Sequence, residues 1–233
     1  SGSLFCCKFK NMSEASKIQL STFETELVNN TEWIFAKQKI IGKVYHLLGS
    51  LQNRYKILLE NNKGLPQEIL EKKGAKISKG ENYNGLPYLI LDYPAIFSKE
   101  SIFAIRTMFW WGNFFSISLH LSGAYFKRSK DTDKWFPYLR EKNFSVCINE
   151  KEWNHDFSAE NFMNANNLNE PQIAQIISKP FFKTGKNIEL CKWESAPYFL
   201  ENAFGEIIEF LKLSYPGDET TLLPEFPKAD FDL

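Results

Sequence analysis

The chain has 233 residues, of which 43% are hydrophobic and 24% are charged, and its formal net charge is zero. This composition excludes a disordered chain, and four cysteines without a CxxC pair exclude a disulfide scaffold and a structural zinc site. Aromatic residues make up 15% of the chain, and their large apolar surfaces require a core or an interface. We therefore expect an aromatic-rich, folded, cytoplasmic protein with reduced thiols.

The N-terminal part of the chain is predicted to be helical. Residues 1–12 are expected to be a tag or a disordered segment. Apolar residues recur at steps of three and four over residues 32–60, which is typical of an amphipathic helix. Asn30 separates this helix from a shorter one, and Thr31 is its expected N-cap. Residues 13–60 together predict a helical hairpin.

From Pro87 onward the pattern indicates strands, after a loop rich in Lys, Gly and Asn. Apolar runs cover residues 88–93, 102–111 and 114–126. The last two runs together are long enough to span a bilayer. Gly112-Asn113 lies between them as a hairpin turn, and beyond it apolar and polar residues alternate with a period of two. A β-hairpin, and not a membrane span, is therefore predicted.

The register of this hairpin decides which side chains share a face of the sheet. If Gly112 and Asn113 are the two turn residues, Arg106 pairs with Leu119 on the face that packs under helices. A slip of one residue would move Arg106 onto the face with His120. In the two-residue register that opposite face carries Thr107, Phe109, Trp111, Ser116, Ser118, His120 and Ser122.

The rest of the chain alternates between the two kinds of element. Strands are predicted over residues 144–150 and over 181–193, the latter as one strand or a small hairpin, and a convincing amphipathic helix covers 196–213. The fold class is α+β, with an antiparallel or mixed sheet of about five to six strands covered by helices on one face. Residues 13–213 are expected to form a single domain, with the sheet and its helices in 87–213 and an extended Pro-rich acidic tail over 214–233.

Chemistry can be assigned to only a few side chains. His120 is the candidate acid or base because its ordinary pKa lies near neutrality. Arg106 requires a partner, either Asp92 or an anionic ligand. Cys147 can act as a nucleophile with His120 if their strands are neighbours, and the alternative is an inert buried thiol. No motif specifies a cofactor, and the three histidines are too scattered to predict a metal site.

Three functional hypotheses follow. The first is a non-catalytic binding or protein-interaction module that uses the aromatic and hydroxyl face of the hairpin with Arg106; it predicts an uncovered apolar patch. The second is a small-molecule enzyme with His120 as acid or base near Arg106, Ser118 and Cys147. The third is a polyanion binder that uses Lys72, Lys73, Lys76 and Lys79.

The expected partners follow from the charge distribution. Residues 1–130 carry an excess of eight positive charges and residues 131–233 an excess of eight negative ones. These opposed halves suit a homodimer. A protein or a small molecule is the expected ligand, whereas nucleic acid is not, because no recognition signature is present.

Overall fold

The computed structural model describes residues 19–62, 64–71, 74–129 and 132–215. They belong to two compact units, Ser1–Lys43 and Val44–Leu233. The expected tag over 1–12 and all but two residues of the expected tail lie outside the described ranges. Within those ranges, no helix is long and apolar enough to cross a bilayer.

Two helices begin the described chain. α1 (Thr22–Asn29) starts with a capping box, in which Ser21 Oγ accepts from the backbone N–H of Glu24 and the Glu24 carboxylate accepts from the Ser21 N–H. α2 (Thr31–Glu60) follows after a single residue. Asn30 Oδ1 accepts from the Trp33 N–H at 2.9 Å, so the N-cap is Asn30 and the prediction of Thr31 is wrong by one residue.

A seven-stranded sheet forms the body of the second unit, in the order β1-β2-β3-β4-β7-β5-β6 with every neighbouring pair antiparallel. The predicted α+β class is confirmed, with more strands than the expected five to six. The strands are β1 (Lys76–Tyr83), β2 (Leu86–Phe97), β3 (Ile102–Trp110), β4 (Phe114–Ser122), β5 (Ser145–Cys147), β6 (Phe162–Asn164) and β7 (Phe181–Glu189). The helices after α2 are α3 (Gln67–Leu70), α4 (Ala124–Arg128), α5 (Thr132–Glu141), α6 (Glu170–Ser178) and α7 (Ala196–Ser214).

Two of the strands, β1 and β6, lie at positions where the sequence does not predict a strand, and β1 replaces a predicted loop. Asn84 and Gly85 have positive φ values of 50° and 82°, and they form a tight turn that returns the chain into β2. β1 is an edge strand, so its charged residues remain in water and mask the apolar pattern by which strands are recognised. β2 also continues beyond Pro94, with a shift of register between Asp92 and Ala95.

The β3–β4 hairpin has a three-residue turn instead of the predicted two-residue one. Trp111, Gly112 and Asn113 form the turn, with Gly112 at φ 71° and the Asn113 N–H donating to the Trp110 carbonyl. Arg106 consequently pairs with Ser118, and not with Leu119. The predicted register is therefore wrong by one residue.

One face of the sheet is covered by helices and holds the main core. Tyr55 of α2 stacks on Phe204 of α7 with ring centroids 3.9 Å apart, and its hydroxyl contacts Thr107 Oγ1 at 3.1 Å. On the same face, Trp135 of α5 packs against Phe182 of β7. The helical cover thus lies on the face that carries Thr107.

The opposite face is crossed by residues 148–161, which we call the cover segment. This segment connects β5 to β6 and contains no helix or strand. His120 and Lys183 are cross-strand partners and therefore point to the same face. Arg106 also points to this face, because its partner Ser118 lies two residues before His120 in β4. Polar groups of the sheet are therefore buried beneath irregular backbone.

Candidate functional site

The one-residue change of register rearranges the predicted ligand-binding face. Thr107 and Phe109 lie on the helix-covered face, where both are buried, so their assignment to a ligand-binding face with His120 is corrected. Trp111 lies in the turn, with its ring 5.4 Å from that of Phe109. The face beneath the cover segment instead holds Arg106, Ser116, Ser118, His120 and Ser122.

Arg106 forms a buried ion pair with Asp92, as predicted. Its Nε and Nη2 atoms donate to the two carboxylate oxygens at 2.7 Å and 3.0 Å. This bidentate arrangement fixes the guanidinium plane. The third nitrogen, Nη1, lies 2.7 Å from Nε2 of His155 in the cover segment.

The contact between Arg106 and His155 determines the tautomer of His155. A guanidinium group can only donate hydrogen bonds, so Nε2 of His155 must accept. In a neutral imidazole the proton then resides on Nδ1, which becomes a donor. Burial, together with the charge of Lys183 whenever its amine is protonated and the Arg106 cation, lowers the pKa of His155 far below its ordinary value, which keeps the ring neutral.

The same logic determines the protonation state of Lys183. Its Nζ lies 2.6 Å from the Asn154 carbonyl, 3.0 Å from the Glu152 carbonyl and 2.9 Å from Nδ1 of His155. The two carbonyls accept both N–H bonds of an amine, and Nδ1–H of His155 requires an acceptor. With this tautomer of His155, Lys183 accepts the hydrogen bond through the lone pair of a neutral amine.

Electrostatics agrees with this assignment. Burial lowers the pKa of Lys183 from 10.5 to about 7; Cys147 and Glu152 raise it and the Arg106 cation lowers it further. The side chain is 1% exposed, so water does not compensate for the lost hydration of an ammonium group. The pKa of Lys183 therefore lies near neutral pH, where the neutral and the protonated form are both populated.

His120 lies beside Lys183 in the adjacent strand and is also buried. Burial, with the charge of Lys183 whenever its amine is protonated and the Arg106 cation, lowers its pKa to about 3, so the ring is neutral. Its Nε2 atom lies 3.3 Å from the Glu152 carboxylate but forms no hydrogen bond. The site thus contains a buried ring nitrogen that is free to bind another group.

The rings of Trp153 and Phe181 enclose His120 from two sides. Both meet it nearly edge-on, at centroid distances of 5.5 Å and 5.9 Å. Trp153 is 49% exposed and the Glu152 side chain 34% exposed, so both extend from the buried ring to the surface.

The cover segment is held at several further points. The hydroxyl of Tyr83 accepts from the backbone N–H groups of His155 at 2.6 Å and Asp156 at 3.1 Å. Lys179, just before β7, donates to the carbonyls of Ile148 and Asn149. Side chains of the sheet therefore satisfy backbone groups that irregular structure leaves unpaired.

Cys147 does not form the predicted pair with His120. β7 lies between their strands, and the thiol is directed to the Asn149 carbonyl at 3.6 Å. Burial raises the pKa of this thiol, which opposes formation of the nucleophilic thiolate. Cys147 lies next to Lys183 on the face beneath the cover segment, so it borders the site without taking part in a nucleophilic pair.

The structure gives little support for the remaining kinds of site, a metal site and a polyanion-binding site. Within the described ranges, no three histidine, cysteine or acidic residues are grouped so that they could hold a metal ion. Of the proposed polyanion-binding lysines, Lys72 and Lys73 lie outside the described residues. Lys76 is exposed, and Lys79 lies 3.6 Å from Glu81.

Sequence reasoning missed Lys183, His155 and Glu152. For Lys183 a signal existed, because its strand alternates as Phe181, Lys183, Gly185 on one face and would bury a lysine if it is central. His155 and Glu152 lie in irregular structure, where no periodicity reports which way a side chain points.

The chain is thus an α+β protein in which a buried lysine with a pKa lowered to about 7 lies beside two neutral histidines, where an antiparallel sheet meets the cover segment. Comparisons with protein-family models, curated proteins and solved structures found no match for it.

Proposed function

We propose that this protein is an enzyme that acts on a small molecule by proton transfer beneath the cover segment. In its neutral state Lys183 is the base: its lone pair leaves the hydrogen bond from His155 and takes a proton from the substrate, while His120 binds the substrate through its unpartnered Nε2 atom. This proposal keeps His120, Arg106 and Ser118 in one site but transfers the role of base from His120 to Lys183. A base is most effective when its pKa lies near the working pH, and Lys183 meets that condition better than His120.

The observation that carries the proposal is the chain of hydrogen bonds from Arg106 through His155 to Lys183. This chain of hydrogen bonds favours the neutral amine, whereas a lysine that merely anchors carbonyls works as an ammonium ion. Lys179 provides that comparison, since it also binds two carbonyls but has the Glu150 carboxylate 3.6 Å away. Lys183 instead lies beside His155 and near the Arg106 cation. Such surroundings disfavour an ammonium ion and therefore lower the stability of the fold, and they are typical of functional lysines.

The other groups have supporting roles. Arg106 fixes the His155 tautomer, and Asp92 holds Arg106 in place. Substrate would enter beside Glu152 and Trp153, which reach from His120 to solvent. The ammonium form of Lys183, which holds the proton taken from the substrate, can return it and so restore the neutral amine.

Reductive methylation tests this proposal, because formaldehyde reacts with neutral amines and cyanoborohydride makes the product stable. At about pH 7, a lysine with an ordinary pKa is neutral in fewer than about one in a thousand molecules. We expect Lys183 to be methylated before exposed lysines such as Lys39, as measured by peptide mass mapping. Lys179, buried but paired with Glu150, is the matched control and should stay unmodified. Methylation of exposed lysines with Lys183 untouched would mean a sealed structural lysine and would reject the proposal.

A small-molecule ligand and a cytoplasmic location are part of this proposal. Cys147 and Cys191, the cysteines within the described residues, form no disulfide, which supports a reducing compartment.

A further inference from the structure

The first unit exposes an unusual amount of apolar surface. None of the residues of α1 is buried, and Phe23 and Phe35 are 66% and 65% exposed. Large apolar side chains of this kind are normally found in a core. Seven of them are exposed within sixteen residues: Leu20, Phe23, Leu27, Val28, Trp33, Ile34 and Phe35.

This surface is large enough for a specific interface. The exposed parts of the seven side chains amount to on the order of 600 Å², given the 150–250 Å² that one aromatic side chain can bury. Monomers rarely leave more than a few hundred Å² of contiguous apolar surface in water. A standard interface covers about 800 Å² on each partner, and flanking polar residues supply the remainder.

The charges of this unit favour a second copy of the same chain as the partner. Residues 19–43 contain three glutamates and three lysines, and every glutamate precedes every lysine. Glu26 and Glu32 are exposed in the first half, and Lys39 and Lys43 are exposed in the second. An antiparallel arrangement of two copies therefore brings the acidic half of each beside the basic half of the other.

We propose that the helices of the first unit form a dimerisation surface that pairs with its own copy in antiparallel fashion about a two-fold axis. An axis near Phe35 brings Glu32 of one copy beside Lys39 of the other, with Glu26 near Lys43, and packs the exposed Phe35 side chains of the two copies together. The same symmetry makes each favourable charge contact occur twice. The surface contains none of the residues of the proposed enzymatic site, so the dimer proposal can be tested independently of the enzyme proposal.

Charge reversal with restoration tests the dimer. The full chain is expected to be a dimer by light scattering after size exclusion. Reversing Glu26 and Glu32 to Lys, or Lys39 and Lys43 to Glu, places like charges together and should raise the dissociation constant about tenfold or more. The chain with all four reversals should recover the dimer, and an equimolar mixture of the two double variants should form a heterodimer.

Other outcomes decide against the proposal. A wild-type chain that remains monomeric at its highest soluble concentration overturns the proposal. If that monomer binds vesicles of anionic lipid, the partner of this surface is a membrane, and the dimer proposal is likewise overturned. A dimer whose affinity is unchanged by both charge reversals overturns the antiparallel pairing. Trp33→Ser with Phe35→Ser should abolish the dimer by removing apolar contacts, and circular dichroism checks that each variant keeps its helices.

Discussion

The lowered pKa of Lys183 leads us to expect that the free energy of unfolding depends on pH in a defined way. In the unfolded chain this lysine has its ordinary pKa of 10.5, whereas in the folded protein the pKa is about 7. Below about pH 7 both states bind the proton, and the full cost of the buried cation is present. Between pH 7 and 10.5 the unfolded state binds more protons, so the free energy of unfolding rises with pH. Above 10.5 both states are neutral and the contribution no longer changes.

The magnitude follows from the difference between the two pKa values. Each unit corresponds to about 1.4 kcal/mol, so the complete contribution is on the order of 5 kcal/mol. Between about pH 7 and about pH 10, the folded wild type should therefore gain on the order of 4 kcal/mol relative to a Lys183→Met variant. Methionine preserves the length of the side chain and removes its titration.

Urea unfolding at a series of pH values measures this difference. The free energy of unfolding of wild type minus that of Lys183→Met should rise steadily with pH, at about 1.4 kcal/mol per unit at most. Other titrating groups are common to both proteins and cancel in the subtraction. Lys179→Met, which retains Lys183, should keep the wild-type slope. A difference that is flat over this pH range would show that Lys183 is charged in the folded protein, and the assignment of His155 as its donor would fail.

Two further predictions concern packing and pairing in the same sheet. Arg106→Met leaves the Asp92 carboxylate buried without a counter-charge and should lower the free energy of unfolding by about 3–5 kcal/mol in urea; a loss below 1 kcal/mol would show that the pair is unimportant. Gly185→Ala should cost about 1–3 kcal/mol, because a Cβ there would lie 2.4 Å from the Ile117 carbonyl oxygen and force β4 and β7 apart. Gly205→Ala on α7 is the matched control, with no atom within 4 Å of the added carbon, and should stabilise the protein by up to about 1 kcal/mol as measured by thermal unfolding.

The elements of the fold were largely predictable because they rest on periodicity. The three- and four-residue spacing of α2 and the strict alternation after Asn113 both reflect one buried face, and the structure has a helix and a strand there. β1 was missed because an edge strand carries charged residues that hide this alternation. Its turn, Asn84-Gly85, was nevertheless a strong hairpin signal in the sequence.

The candidate site was less predictable because it depends on register and on irregular structure. One additional turn residue in the β3–β4 hairpin moves the residues of β3 to the other face relative to those of β4, which separates Thr107 from His120 and joins Arg106 to it. His155 reaches Arg106 only through the path of the cover segment, which no sequence pattern encodes. Asp92 was found because charge pairing between neighbouring strands is a local property.

The position of β7 between β4 and β5 affects the order in which the molecule is built during synthesis. Strands β1 to β4 follow one another as hairpins and can pair as soon as they leave the ribosome, since their contacts are local. β4 then keeps an unpaired edge until residues 181–189 arrive, after almost sixty intervening residues. Because Lys183 arrives with that strand, the hydrogen bonds that connect Arg106, His155 and Lys183 are completed no earlier than the step in which β7 joins the sheet. A nascent chain that stops before β7 therefore lacks the network and presents β4 as an open edge, which is a risk for aggregation.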